Sequence, residues 1–216
     1  VSIILLGKKK GMARLFNEKG EIIPVSVIEL ENGTVVNKKT SEKHGYEAIQ
    51  LGFLDIKENK LNKPESGYLK KSGISPKKYL KESRIGKGEL EKYNIGDEIN
   101  ISYFSKGDYI DVSGKSIGKG FAGGVKRWGW HGGDDTHGSM FHRAPGSVGA
   151  SAFPSRTYKG HRLPGRMGGK RVTVQSLLIV DLKEDLNLII VKGALPGPKG
   201  SYIEIRKAKK KAFVSK

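Results

Sequence analysis

The chain has 216 residues, 36% of them hydrophobic, with 40 Lys and Arg against 22 Asp and Glu, a formal net charge of +18 and no cysteine. That length supports one or two domains with a real core, and the charge points to nucleic acid first and an acidic membrane surface second. The lack of cysteine excludes disulfides and thiolate zinc sites, and no run of about 18 apolar residues is present to span a bilayer.

At the start, Ile3-Ile4-Leu5-Leu6 is too short for a signal-peptide core and precedes its lysines rather than following them. Residues 22–30 are β-branched and apolar around Pro24, and residues 47–53 alternate apolar with polar or small side chains, so both are expected as strands. Lysines then accumulate between Asn62 and Lys92. Pro64 is placed to open a short helix that Gly73 closes, and residues 76–84 are expected to form a second one. Residues 99–103 and 109–112 return to a period of two.

Beyond residue 171, Val172-Thr173-Val174-Gln175 leads into an apolar run, a polar Lys183-Glu184-Asp185 turn, a second run over 188–191, the Gly197-Pro198-Lys199-Gly200 turn, and Tyr202-Ile203-Glu204-Ile205. This is an antiparallel meander, and it argues for a small β-barrel. The expected fold is therefore mainly β. Residues 1–61, 97–112 and 172–205 supply the barrel body, 62–96 a small helical insertion, 113–171 a long glycine-rich basic loop, and 206–216 a basic tail that orders on binding.

The loop is where function is expected. Residues 113–171 hold 11 Lys and Arg against 2 acidic residues, and 15 of the chain's 30 glycines. A segment with so few aliphatic side chains cannot bury enough apolar surface to offset the entropy of ordering itself, so a polyanion must supply what it folds against. Phe121, Trp128, Trp130, Phe141, Phe153 and Tyr158 are interleaved with the cations. Aromatics stack on unpaired bases while Lys and Arg meet phosphates, and glycine lets the backbone approach closely. The basic candidates for RNA contact are Lys115, Lys119, Lys126, Arg127, Arg143, Arg156, Lys159, Arg162, Arg166, Lys170 and Arg171, joined by Trp128, Trp130, His137 and His142.

Three other readings compete. Gly118-Lys119-Gly120-Phe121-Ala122-Gly123 fits GxGxxG, but the dinucleotide fingerprint needs a helix to begin there, and residues 126–133 are expected to form none. Gly114-Lys115-Ser116 lacks the first glycine of a P-loop, the position being Tyr109. His131, His137 and His142, with Asp134 and Asp135 between them, match neither ligand spacing on a helix nor a triad with an oriented nucleophile, so no metal, cofactor, small-molecule substrate or catalytic residue is expected. Nor does any amphipathic helix with large apolar side chains suit a membrane surface.

Several motifs carry a family resemblance. Leu6-Gly7-Lys8-Lys9-Lys10-Gly11-Met12-Ala13-Arg14-Leu15-Phe16 resembles the opening signature of the third large-subunit ribosomal protein family, "L-three". Gly118 to Phe121, Lys126-Arg127-Trp128, Thr136-His137-Gly138, His142 to Ser147, Gly165-Arg166-Met167-Gly168, Arg171 to Gln175 and Val191 to Gly197 follow in that family's order and spacing. The resemblance implies a translation-protein-type barrel that binds large-subunit, 23S-type rRNA early in assembly, contacts neighbouring ribosomal proteins, works on cytoplasmic ribosomes and catalyses nothing itself. It also implies that Gly149-Ala150-Ser151-Ala152-Phe153 is the loop tip near the peptidyl transferase centre. Some bacterial members carry a methylated glutamine in that tip; Ala152 stands at the matching position here, so that modification is not expected.

Overall fold

The structure, a computed structural model, describes residues 3–86 and 88–211. In chain order its strands are β1 (Leu5–Phe16), β2 (Ile22–Leu30), β3 (Gly33–Lys39), β4 (Ala48–Asp55), β5 (Lys77–Arg84) and β6 (Glu98–Ile99). They continue with β7 (Tyr109–Lys115), β8 (Phe121–Ala122), β9 (Gly165–Arg166), β10 (Arg171–Lys183), β11 (Leu188–Lys192) and β12 (Tyr202–Lys207). Helices α1 (Ser41–His44), α2 (Lys63–Lys71) and α3 (Gly124–Trp128) are short. The chain divides into two compact units: the described residues up to Lys115 together with those from Arg171 onward, and residues 116–170.

In the first unit six strands close a barrel in the order β1-β12-β7-β10-β11-β2, every neighbouring pair antiparallel. Alternation in the sequence fills its inside: Leu5, Ile28, Ile110, Val112, Ile189, Val191 and Ile205 are wholly buried. At Gly7 a Cβ would lie 2.6 Å from Ile28 Cγ2 and 2.9 Å from Ile205 Cδ1, so only glycine lets β1 sit between its two neighbours. Bulges in β1 and β10 supply the extra bend that closing a ring requires. The Lys9 ammonium donates to the carbonyls of Leu195 and Gly197, each at 2.9 Å, so one lysine of the N-terminal motif fastens the loop before β12.

Two expectations are corrected. Residues 1–61 and 97–112 are expected in the barrel body; β3, β4 and β6 instead belong to a second sheet of order β5-β4-β3-β6, whose Val35, Ile49, Leu51 and Phe53 share one core cluster with Leu5, Leu30 and Ile110. Of residues 76–84, expected as a helix, Lys77–Arg84 form strand β5. The lysines disguise it: Lys77 is buried and meets Asp55 at 3.0 Å, Lys78 points to solvent, and the segment pairs with β4 from Asp55↔Lys77 to Ala48↔Arg84. Tertiary pairing overrides the local composition. Between Asn62 and Gly73 the helix does form, as α2, with Pro64 in its first turn and Glu65 accepting the Asn62 backbone N–H at 3.4 Å.

The basic tail also differs from expectation over its first part. Arg206 and Lys207 belong to β12, Ala208 is buried with its N–H on the Tyr109 carbonyl at 2.9 Å, and Lys211 lies 4.3 Å from the Tyr109 ring centre. Asp111, 1% exposed, accepts from the Ser176 and Lys209 backbones at 3.0 and 3.5 Å and sits 3.6 Å from the Arg206 guanidinium. A buried carboxylate thus ties the tail to the barrel wall. Residues 212–216 lie outside the described residues.

Glu204 on β12 is held between Lys81, at 2.7 Å, and Arg171. Burial pushes its pKa up, but hydrogen bonds from the two cations outweigh that and keep it below the ordinary carboxylate value. The stability it contributes is therefore fully present above the unfolded carboxylate pKa of about 4.3 and is lost as pH falls through the lower folded value. Urea midpoints followed from neutral to acid pH are expected to fall less steeply for Glu204→Gln than for the parent. Parallel curves would remove Glu204 from the acid response.

Candidate nucleic-acid interface

Residues 116–170 are spliced between β7 and β10, at the point where Lys115 pairs with Arg171. The ladder of the barrel runs through residues 113–115 and 171, so the inserted segment is slightly shorter than the 113–171 loop expected. It begins as a narrow stem. Ser116 N–H donates to the Lys170 carbonyl at 2.9 Å, Lys119 N–H to Met167 at 2.9 Å and Met167 N–H to Gly120 at 2.8 Å, leading into the antiparallel β8–β9 pair. Gly168 has φ +72°, and a Cβ there would fall 2.0 Å from the Ile117 carbonyl oxygen. The stem cannot close with any other residue.

Above the stem, α3 makes one turn and ends at Gly129 in the left-handed region. This corrects, over residues 126–128, the expectation that residues 126–133 form no helix. Five residues do not make a dinucleotide site, however, and β8 and β9 run antiparallel, whereas that fold needs parallel strands joined through a helix. The turn has a packing purpose. Arg127 Nη1 and Trp128 Nε1 both donate to the Leu163 carbonyl, at 2.6 and 2.9 Å, and the Arg127 and Arg162 guanidinium carbons lie 4.8 and 5.7 Å from the Trp128 ring centre. These are cation–π distances. Trp130 packs on Gly124, where a Cβ would come within 1.9 Å of the indole.

Further out, Gly133 N–H donates to the His142 carbonyl at 3.3 Å and closes a loop over 133–142. His142 Nδ1 stands 3.8 Å from Asp135, while His137 is exposed, in the left-handed region at φ 57°. Among the described residues no three His, Asp or Glu side chains converge as metal ligands would. Residues 149–153 are all exposed, Phe153 at 87%.

Two facts define the segment electrostatically. Only Ala122 and Gly124 are buried in it, and none of its nine Lys and Arg approaches a carboxylate within salt-bridge distance, among the described residues. The first unit differs in having acids within reach, and it pairs Lys10, Lys39, Lys70, Lys77, Lys81, Lys106, Arg171 and Arg206 with them. Positive charge in the segment is not neutralised by carboxylates, among the described residues.

The candidate residues sort accordingly. Lys115, Lys119, Lys126, Arg143, Lys159, Arg166 and Lys170 are exposed, and Arg156 is exposed with its guanidinium 6.0 Å from the Tyr158 ring centre. Arg171 is held by Glu204, and the half-buried Arg127 serves the Leu163 carbonyl. Trp128 and Trp130 are packing residues at least in part, whereas Phe121, Phe153 and Tyr158 present rings to solvent. The Leu163 carbonyl was not expected as an organiser; no side-chain pattern marks a backbone acceptor.

Because the chain's two tryptophans both lie in this segment, indole fluorescence reports on it alone. Gly124→Val is expected to displace Trp130 and shift its emission to the red, while the far-UV circular dichroism of the barrel stays as it was. An unshifted spectrum would refute the Gly124–Trp130 contact.

The ribosomal protein L3 family profile matches residues 80–215. The chain belongs to the ribosomal protein L3 family. It is 47% identical over 207 residues to the large ribosomal subunit protein uL3 of Syntrophus aciditrophicus (strain SB), covering 96% of this chain and 94% of that one. To the large ribosomal subunit protein uL3 of Oceanobacillus iheyensis it is 48% identical over 206 residues, covering 95% and 97%. The L3 match spans residues 116–170 whole, so the unpaired cations fall within the matched region of an L3-family protein.

Proposed function

We propose that this L3-family protein is a structural constituent of the large ribosomal subunit, not an enzyme, and that residues 116–170 are its principal grip on large-subunit, 23S-type rRNA. The observation that carries this reading is the contrast between a first unit that ties eight of its Lys and Arg to carboxylates and a segment whose nine Lys and Arg meet none, among the described residues. In the finished particle those cations replace the counterions that would otherwise screen converging RNA helices, and the segment orders as the RNA folds around it. The closed ring is then a translation-protein-type barrel docked among neighbouring ribosomal proteins of the cytoplasmic ribosome. Binding comes early in assembly, and residues 149–153 are directed toward the peptidyl transferase centre.

The test uses exposed cations with no internal duty. Lys126→Gln, Arg143→Gln and Arg156→Gln together are expected to flatten the salt dependence of rRNA binding by roughly 2–3 logarithmic units per decade of salt. An unchanged slope would reject the assignment of these three to phosphate contacts.

A further inference from the structure

Within residues 116–170 a cavity of about 430 Å³ is lined by Trp130, Pro145, Ser147, Gly160, His161 and Arg162. Its chemistry is specific. Trp130 and Pro145 are flat apolar walls, and Trp130 is backed by Gly124, which sits too close to its benzo ring for any side chain to intervene. Ser147 brings a hydroxyl, His161 an imidazole and Arg162 a guanidinium, and no carboxylate lines the space. Arg162 also lies 5.7 Å from the Trp128 ring centre, a cation–π contact that restrains a side chain lining the cavity. His161 is held through its backbone, its N–H donating to the Tyr158 carbonyl at 3.3 Å, so its ring is left for a ligand.

We infer that this cavity receives a single RNA nucleotide extruded from its stack, the base lying against Trp130 and the phosphate meeting Arg162. The size suits it, since small-molecule sites begin near about 300 Å³. A helix read only through its phosphates needs no such recess. Stacking of a base on an aromatic side chain is worth roughly 1–3 kcal/mol and tolerates any base, so the site selects an unpaired nucleotide over a paired one more than one base over another. It rests on the RNA-binding reading above and adds to it a point of recognition that charge alone does not provide. Phosphate contacts fix position, whereas a captured base fixes register.

The experiment measures binding of the intact chain to RNA hairpins of one stem sequence, either fully paired or carrying a single bulged A, G, C or U, at a salt concentration that suppresses the phosphate contribution. Bulged hairpins are expected to bind about 5- to 150-fold more tightly than the paired one. Trp130→Ala should abolish the preference, and Trp130→Phe, which keeps an aromatic wall, should retain most of it. Equal affinity for paired and bulged hairpins, or a preference that survives Trp130→Ala, overturns the inference while leaving the RNA-binding reading intact. Binding to none of the hairpins at any salt overturns both. If Trp130→Ala disorders the segment, seen as a red shift of the remaining Trp128 emission, His161→Ala decides: a reduced preference supports the site, and an undiminished one rejects it.

Discussion

Excising residues 116–170 and joining Lys115 to Arg171 through an Asn-Gly turn is expected to leave a folded barrel that has lost most of its salt-dependent affinity for large-subunit rRNA. Because Lys115 and Arg171 are already register partners in the β7–β10 ladder, the junction becomes an ordinary hairpin and no barrel strand is shortened. The excision removes nine cations and two carboxylates, lowering the net charge from +18 to +11. If most of those cations each displace a counterion, the slope of log affinity on log salt falls by about 0.7–0.9 for each one lost. A residual slope from the exposed lysines of the barrel will persist, with little preference for cognate over unrelated RNA. Filter binding over a salt series, with far-UV circular dichroism as the check on folding, measures it. A variant that keeps the parental slope and preference would place recognition on the barrel face and remove the segment from the RNA-binding role.

How much of this was legible in the sequence depends on which physical signal each part uses. Barrel strands such as β7, β11 and β12 announce themselves because one face of each must be apolar, and Ile110, Val112, Ile189, Val191, Ile203 and Ile205 alternate accordingly. The inserted segment was equally plain, since a run rich in glycine and cations has no way to make a core. What could not be read was partnership. β5 carries lysines on both faces and looks like solvent-exposed helix until Asp55 is found beside Lys77 and the whole of β4 alongside. The tail looks free until Asp111, distant in sequence, is seen to accept its backbone. Among the cations expected to meet RNA, the sequence could not separate Arg127 and Arg171, which make contacts inside the protein, from Lys126 and Arg143, which are exposed.

Two phenylalanines make the division of labour between the two units testable in one comparison. Phe53 on β4 is wholly buried, its ring 2.8 Å from where a Cβ on Gly33 would stand, in the cluster that joins the second sheet to the barrel. Phe53→Ala removes that ring from a fully buried site and leaves a cavity against Gly33, which has no side chain to fill it. A loss of about 3–5 kcal/mol is expected, and for a protein of this size a midpoint lowered by roughly 6–20 °C. Phe153 is 87% exposed, so Phe153→Ala should change stability by less than about 0.5 kcal/mol. The effects on RNA should be reversed: at low temperature Phe53→Ala binds rRNA as the parent does, whereas Phe153→Ala weakens it if the ring stacks on a base. Thermal melts and binding isotherms on the same two proteins decide the matter. A Phe53→Ala protein as stable as its parent would mean that the second sheet does not depend on the shared core, and a Phe153→Ala protein with a lowered midpoint would mean that the Phe153 ring is itself part of the protein's packing.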